Sequence, residues 1–121
     1  MRRCRVLIAG GDPGVRAALR LLLVRQPDFE VVGECSEPGT FTHQLESARP
    51  DVVVLDGDRW SSYVHTDSAQ LRNVATVVLG TRDEQRTHAL AGGAAAFVCK
   101  GEPPSRLLDT LRELRRVLTR V

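Results

Sequence analysis

Lysine is almost missing from this chain. Sixteen of its seventeen basic residues are arginine, and Lys100 is the only lysine. That exception marks a position suited to a compact, flexible ammonium rather than a planar guanidinium fork. Long apolar runs are missing too, since none approaches the roughly 20 residues that span a bilayer. Met1-Arg-Arg-Cys-Arg5 is basic, but the apolar run behind it ends at Ala9, too short for a signal peptide's apolar region of about 7–15 residues. A cytoplasmic protein with no membrane segment is expected. Cysteine pairs are absent: Cys4, Cys35 and Cys99 are odd in number and show no Cys-x-x-Cys spacing. This excludes a disulfide framework or zinc site and leaves three small buried hydrophobes. No internal repeat, low-complexity tract or linker divides the 121 residues, so one domain with one core is expected. The net charge is only +2, and basic residues are spread out except at Arg2-Arg3-Arg5 and Arg112-Arg115-Arg116-Arg120. A nucleic-acid surface needs a clustered stripe and a reading element, so the last cluster is expected to be the wet face of a helix.

What is present centres on Asp51-Val-Val-Val-Leu-Asp56-Gly-Asp58. Val52 to Leu55 show no polar alternation, the pattern of a strand buried on both faces in the middle of a parallel sheet. Asp56 then falls at the strand's carboxyl end, where open α/β sheets place ligands and chemistry. It is a candidate nucleophile or metal ligand; equally, Asp starts turns.

Strands are predicted at Arg5–Ala9, Phe29–Cys35, Val52–Leu55, Val74–Leu79 and Ala94–Cys99. Between them lie helices from Asp12-Pro13, a cap followed by proline, to Arg25, from Thr40 to Ala48, around Val64–Leu71, and from Asp83 to Ala91. A last helix follows Lys100-Gly-Glu-Pro-Pro104. In the first helix Val15, Ala18, Leu19, Leu22 and Leu23 form the core stripe. In the last, Leu107, Leu111, Leu114, Leu118 and Val121 share one face. Five strands alternating with helices make a doubly wound α/β domain.

Arg5-Val-Leu-Ile-Ala, Phe29-Glu-Val-Val-Gly-Glu34, Arg49-Pro-Asp-Val-Val-Val-Leu-Asp56, Ala89-Leu-Ala-Gly-Gly-Ala94, Phe97-Val-Cys-Lys100 and Gly-Glu-Pro-Pro-Ser-Arg-Leu107 stand in a set order and spacing. Together they resemble the receiver domain of two-component response regulators, most closely the NarL/LuxR-type subfamily. The resemblance covers residues 1–121 and implies a flavodoxin-like (βα)5 fold with strand order 2-1-3-4-5. It further implies that a helix-turn-helix DNA-binding domain lies beyond Val121. By resemblance Asp56 is the phosphoacceptor served by a histidine kinase, and Lys100 is the phosphoryl contact. Phe97 is the aromatic that swings inward on switching, and the switch hydroxyl falls on Gly80, or on Thr81 if the loop is rearranged.

The departures from the family are specific. The acidic pair that holds Mg²⁺ after strand 1 is replaced by Gly10-Gly11. Magnesium normally uses one or two carboxylates, and phosphoryl transfer is largely positioning and charge neutralisation. No cofactor is therefore expected, and Mg²⁺ only if Asp12 or Asp58 rescues the site. The family's Pro-Gly turn is replaced by Gly57-Asp58-Arg59-Trp60, and the segments flanking strand 4 are short. The leading expectation is an atypical receiver that controls a transcription factor by protein–protein contact as a homodimer. It would be closed by an Asp56–Lys100 pair and would touch DNA only through an attached domain. One alternative is a conventional phospho-Asp56 switch. Another is a small-ligand sensor, with Gly10, Gly11 and Gly14 offering backbone N–H groups to an anion, although no complete G-x-G-x-x-G is present. An enzyme is not expected, because His43, His65 and His88 have no visible Ser or Cys partner.

Overall fold

The computed structural model describes residues 2–11, 13–57 and 74–118. Within them the elements are β1 (Cys4–Ala9), α1 (Pro13–Val24), β2 (Phe29–Cys35), α2 (Pro38–Ala48), β3 (Val52–Asp56), β4 (Ala75–Gly80), α3 (Asp83–Ala91), β5 (Ala96–Cys99) and α4 (Pro104–Leu118). The helix anticipated at Val64–Leu71 lies outside the described residues.

All strands are parallel, in the order β2-β1-β3-β4-β5. The central position of β3 follows from its composition. Every residue from Val52 to Asp56 is buried, so the strand contributes to two cores at once. Alternate side chains point to opposite faces. Val6, Ile8, Val52, Val54, Val77 and Leu79 therefore pack toward α1 and α4 with Leu23, Leu107 and Leu111. Leu7, Val53, Leu55 and Val78 pack on the other face with Phe41 and Leu45 of α2 and Ala89 of α3. At roughly 25 cal/mol per Å², two covered faces give each apolar residue of β3 close to its full hydrophobic stabilisation.

The element boundaries differ in instructive ways. The second helix starts at Pro38 rather than Thr40, because a proline's fixed φ suits a first helical position. The last strand begins at Ala96 rather than Ala94, after a turn in which Gly93 takes φ 103° and the Ala94 amide donates to Ala89 O. In α1 only Leu23 of the expected stripe is fully buried. Leu19 and Leu22 pack partly against the core, and Ala18 is exposed.

In α4, Leu108 joins Leu107 and Leu111 in the core, and Leu114 packs against it. The side chain of Leu118 and the whole of Val121 lie outside the described residues. The α4 arginines are not simply a wet face. Arg112 Nε donates to Asp28 at 2.9 Å, Arg112 Nη2 donates to Gln26, and the guanidinium stands 5.6 Å from the Phe29 ring centre. Arg115 Nη1 donates to Asp28 O. Long arginine stems cover apolar surface while their heads find partners, which a helical wheel does not reveal. Cys4 and Cys35 are buried, whereas Cys99 is only half-buried. Burial pushes the Cys4 thiol up to about 11, with Asp51 adding to the effect.

Candidate functional site

The carboxyl edge of the sheet brings the ends of β1, β3, β4 and β5 together, because all strands run the same way. Asp56 closes β3 with only 7% of its surface exposed. Lys100, one residue beyond β5, places Nζ 3.1 Å from Asp56 Oδ2, and the lysine side chain is 27% exposed. The Lys100 amide donates to Gly80 O at 2.8 Å, which fixes the root of the side chain to the neighbouring strand. The two residues that the sequence singled out therefore meet as an ion pair.

Gly10 and Gly11 follow β1 with φ of 74° and 77°, the left-handed region that L-residues with a Cβ avoid. A Cβ at Gly11 would stand 2.8 Å from Asp56 Oδ2. The loop backbone thus closes on the same carboxylate oxygen that the lysine holds. The expected anion cradle loses a member, because Gly10 N–H donates to Cys35 O at 2.7 Å. Arg16 Nη1 donates to Gly11 O at 2.7 Å, turning a guanidinium toward the loop's carbonyls.

The resemblance implies Mg²⁺ here, and the described residues do not fit it. Glycines replace the acidic pair, and their conformation and clearance leave no room for a carboxylate side chain at Gly11. An ammonium already faces Asp56. Among the described residues, no group of three or more His, Cys, Asp or Glu side chains could hold a metal ion. Asp12 and Asp58, the carboxylates considered as replacements, lie outside the described residues.

Gly80 is the last residue of β4 and pairs with Cys99. A Cβ there would lie 2.6 Å from Phe97 Cζ and 2.6 Å from Gln85 Oε1. The space that a switch hydroxyl would need is filled by the Phe97 ring and the Gln85 amide. Arg86 stacks over that ring at 4.8 Å, a cation–π contact. Thr81 is exposed, and its N–H donates to Gln85 Oε1 at 2.8 Å.

Sequence reading missed Gln85 and Arg86. The signal available was position: Gln85 is the third residue of a helix whose preceding amides need an acceptor, and the Arg82 amide also donates to it. His43 and His88 are exposed on helices, and His65 lies outside the described residues.

No protein-family model matches the chain. The transcriptional regulatory protein BtsR of Shigella flexneri is 42% identical over 115 residues, covering 93% of this chain and 48% of that protein. A protein-glutamate methylesterase/protein-glutamine glutaminase of Rhodopseudomonas palustris is 36% identical over 55 residues, 46% of this chain and 15% of that protein. The chain spans about half the length of the transcriptional regulator it matches. Among solved structures, the signal receiver domain of NarL from Mycobacterium tuberculosis superposes with a TM-score of 0.80 at 20% identity, over 93% of this chain and 96% of that one. The isolated receiver domain of RcsB from Salmonella enterica serovar Typhimurium, in the presence of a phosphomimetic, gives 0.81 at 20% identity over 95% and 90%. A further structure holds two RcsB dimers bound to two parallel DNAs.

Proposed function

Since this chain is a receiver domain of the response-regulator family, we infer that it controls a transcription factor by protein–protein contact without Mg²⁺-dependent phosphorylation of Asp56. The observation that carries this reading is the 3.1 Å Lys100–Asp56 pair, with the Gly10-Gly11 loop closed over the same oxygen. A phosphoryl group entering at Asp56 needs positive charge to balance its own. Among the described residues the cation paired with Asp56 is Lys100, already facing the ground-state carboxylate. The pair and the inward Phe97 hold one conformation without an incoming signal. The domain then acts as a fixed docking module rather than an enzyme, and the histidine kinase of the conventional scheme has no role.

The contact surface is a homodimer's. Leu21 and Val24 on α1 and Val117 on α4 are each more than half exposed, at 57%, 55% and 56%, on the two helices that cover one sheet face. Exposed apolar side chains of this size mark association surfaces when they share a face. DNA is reached through an attached domain, as the half-length match to a transcriptional regulator suggests, and the subfamily resemblance makes that domain a helix-turn-helix. No helix of the described residues is long and apolar enough to cross a membrane, in keeping with a cytoplasmic regulator.

Intact mass after incubation with acetyl phosphate and Mg²⁺ tests this. The expected spectrum shows no adduct on the folded protein. One phosphoryl adduct on the wild type, absent from Asp56→Asn, would restore the conventional switch.

A further inference from the structure

The partly uncovered stripe of α1 has a destination. Val15, Ala18, Leu19 and Leu22, spaced as one helical face, line a groove of about 300 Å³ opposite Leu107 of α4. Leu79 and Val98, almost fully buried strand residues, also line it. The sequence writes these α1 positions as core, yet among the described residues no side chain fills the space beside them. A volume of this size sits at the small end of ligand pockets, which are mostly apolar with a few placed polar groups.

The polar groups decide what fits. Among the described residues, Lys100 and Glu102 are the charged side chains lining the groove. Glu102 is already engaged: Oε2 takes Arg106 Nε at 3.2 Å, and Oε1 accepts the Cys99 amide at 3.3 Å. Lys100 is not used up. An ammonium has three donors, and among the described residues Nζ gives one, to Asp56 Oδ2. Two N–H donors are therefore left for a ligand, on an ammonium that it would share with Asp56, beside an apolar cleft.

We propose that this groove binds a small carboxylate with an apolar body, the body against α1 and α4 and the carboxylate on Lys100. The site stands whether or not Asp56 accepts phosphate, so it goes beyond the reading above. It also places a ligand beside the pair on which that reading rests. Lys100 would be shared between ligand and Asp56, and the ligand would report directly to the carboxyl edge of the sheet.

The test is isothermal titration of the folded chain with 4-phenylbutyrate and with uncharged 4-phenylbutanol. Saturable binding of the acid is expected, at least tenfold weaker in Lys100→Met, with the alcohol unaffected by that change. Ala18→Phe places a ring in the groove from an exposed helix position and should abolish binding of both probes while leaving the melting curve cooperative. The proposal fails if the wild type gives no saturable heat with the acid, or if Ala18→Phe binds the acid as well as wild type does. It also fails if Ala18→Phe disrupts dimers in sedimentation velocity while the acid never binds, since a second copy would then cover the groove.

Discussion

At the amino edge of the sheet, Asp28 takes two bonds from the Arg112 fork, at 2.9 and 3.3 Å, with Arg115 a further 4.0 Å away. At the carboxyl edge, Asp56 faces the chain's one lysine at 3.1 Å. The first arrangement is planar, bidentate and spread over two cations, so no single bond is critical. It ties α4 to the entrance of β2. The second puts a point charge on a flexible stem against a far more buried carboxylate. One edge is held by a fixed fork and the other by a movable ammonium. The lone lysine thus falls where a compact ammonium can be shared or moved, and arginines fall where a fixed fork is wanted.

Removing the cation at the carboxyl edge sharpens the contrast most. Lys100→Ala leaves Asp56 buried opposite a missing ammonium, a change expected to cost about 2 kcal/mol, less than for a fully buried pair because the lysine is partly solvated. Chemical denaturation should show it, with Asp56→Asn recovering much of the loss in the double variant. An unchanged midpoint would mean that the pair holds nothing together.

Next in size, Gly80→Ala forces the Phe97 ring or the Gln85 amide to move, costing about 1–2 kcal/mol as other overpacked sites do. In a Phe97→Ala background the same substitution should cost clearly less. Equal costs in both backgrounds would sever the ring from the glycine.

The smallest effect belongs to the amino edge. The hydrogen bond from Arg112 holds the Asp28 carboxyl below its ordinary value, against the opposing effect of burial. A depressed folded value means stabilisation that is fully present above the unfolded carboxylate range and lost as pH falls through the folded one. Asp28→Asn should therefore lower stability by about 1 kcal/mol or less near neutrality. Its gap from wild type should close as melts are repeated toward pH 2. A gap that persists in acid would point to lost packing instead of lost charge.

Much of this geometry is written locally. Val52 to Asp56 announces its own burial by lacking polar alternation, and the position of Asp56 follows from where that strand must end. Lys100 stands out by rarity, and its spacing to the last helix is the family's. The strand order came from the resemblance, since periodicity alone does not order strands. What escaped reading lies in contacts between distant segments. Gly80 looks like any strand-end glycine until the Phe97 ring is found in the space beside it. Arg112 reads as surface on its own helix because its partners, Gln26 and Asp28, are more than eighty residues earlier. The α1 stripe reads as core because nothing in a periodic pattern says whether the opposite wall is near enough to close it.

The reach of α4 bears on how the chain comes to be folded at all. Arg112 bonds a residue 84 positions earlier, and Arg115 donates to the carbonyl of Arg2, 113 positions away. Contacts of such sequence separation form late, after the entropy of closing long loops has been met. During synthesis β1 and β2 emerge first, and the mouth of β2 waits for arginines made near the end of this sequence. A nascent chain stalled before Arg112 would hold Leu23 and Phe29 beside an unfinished wall, open to aggregation or to a chaperone.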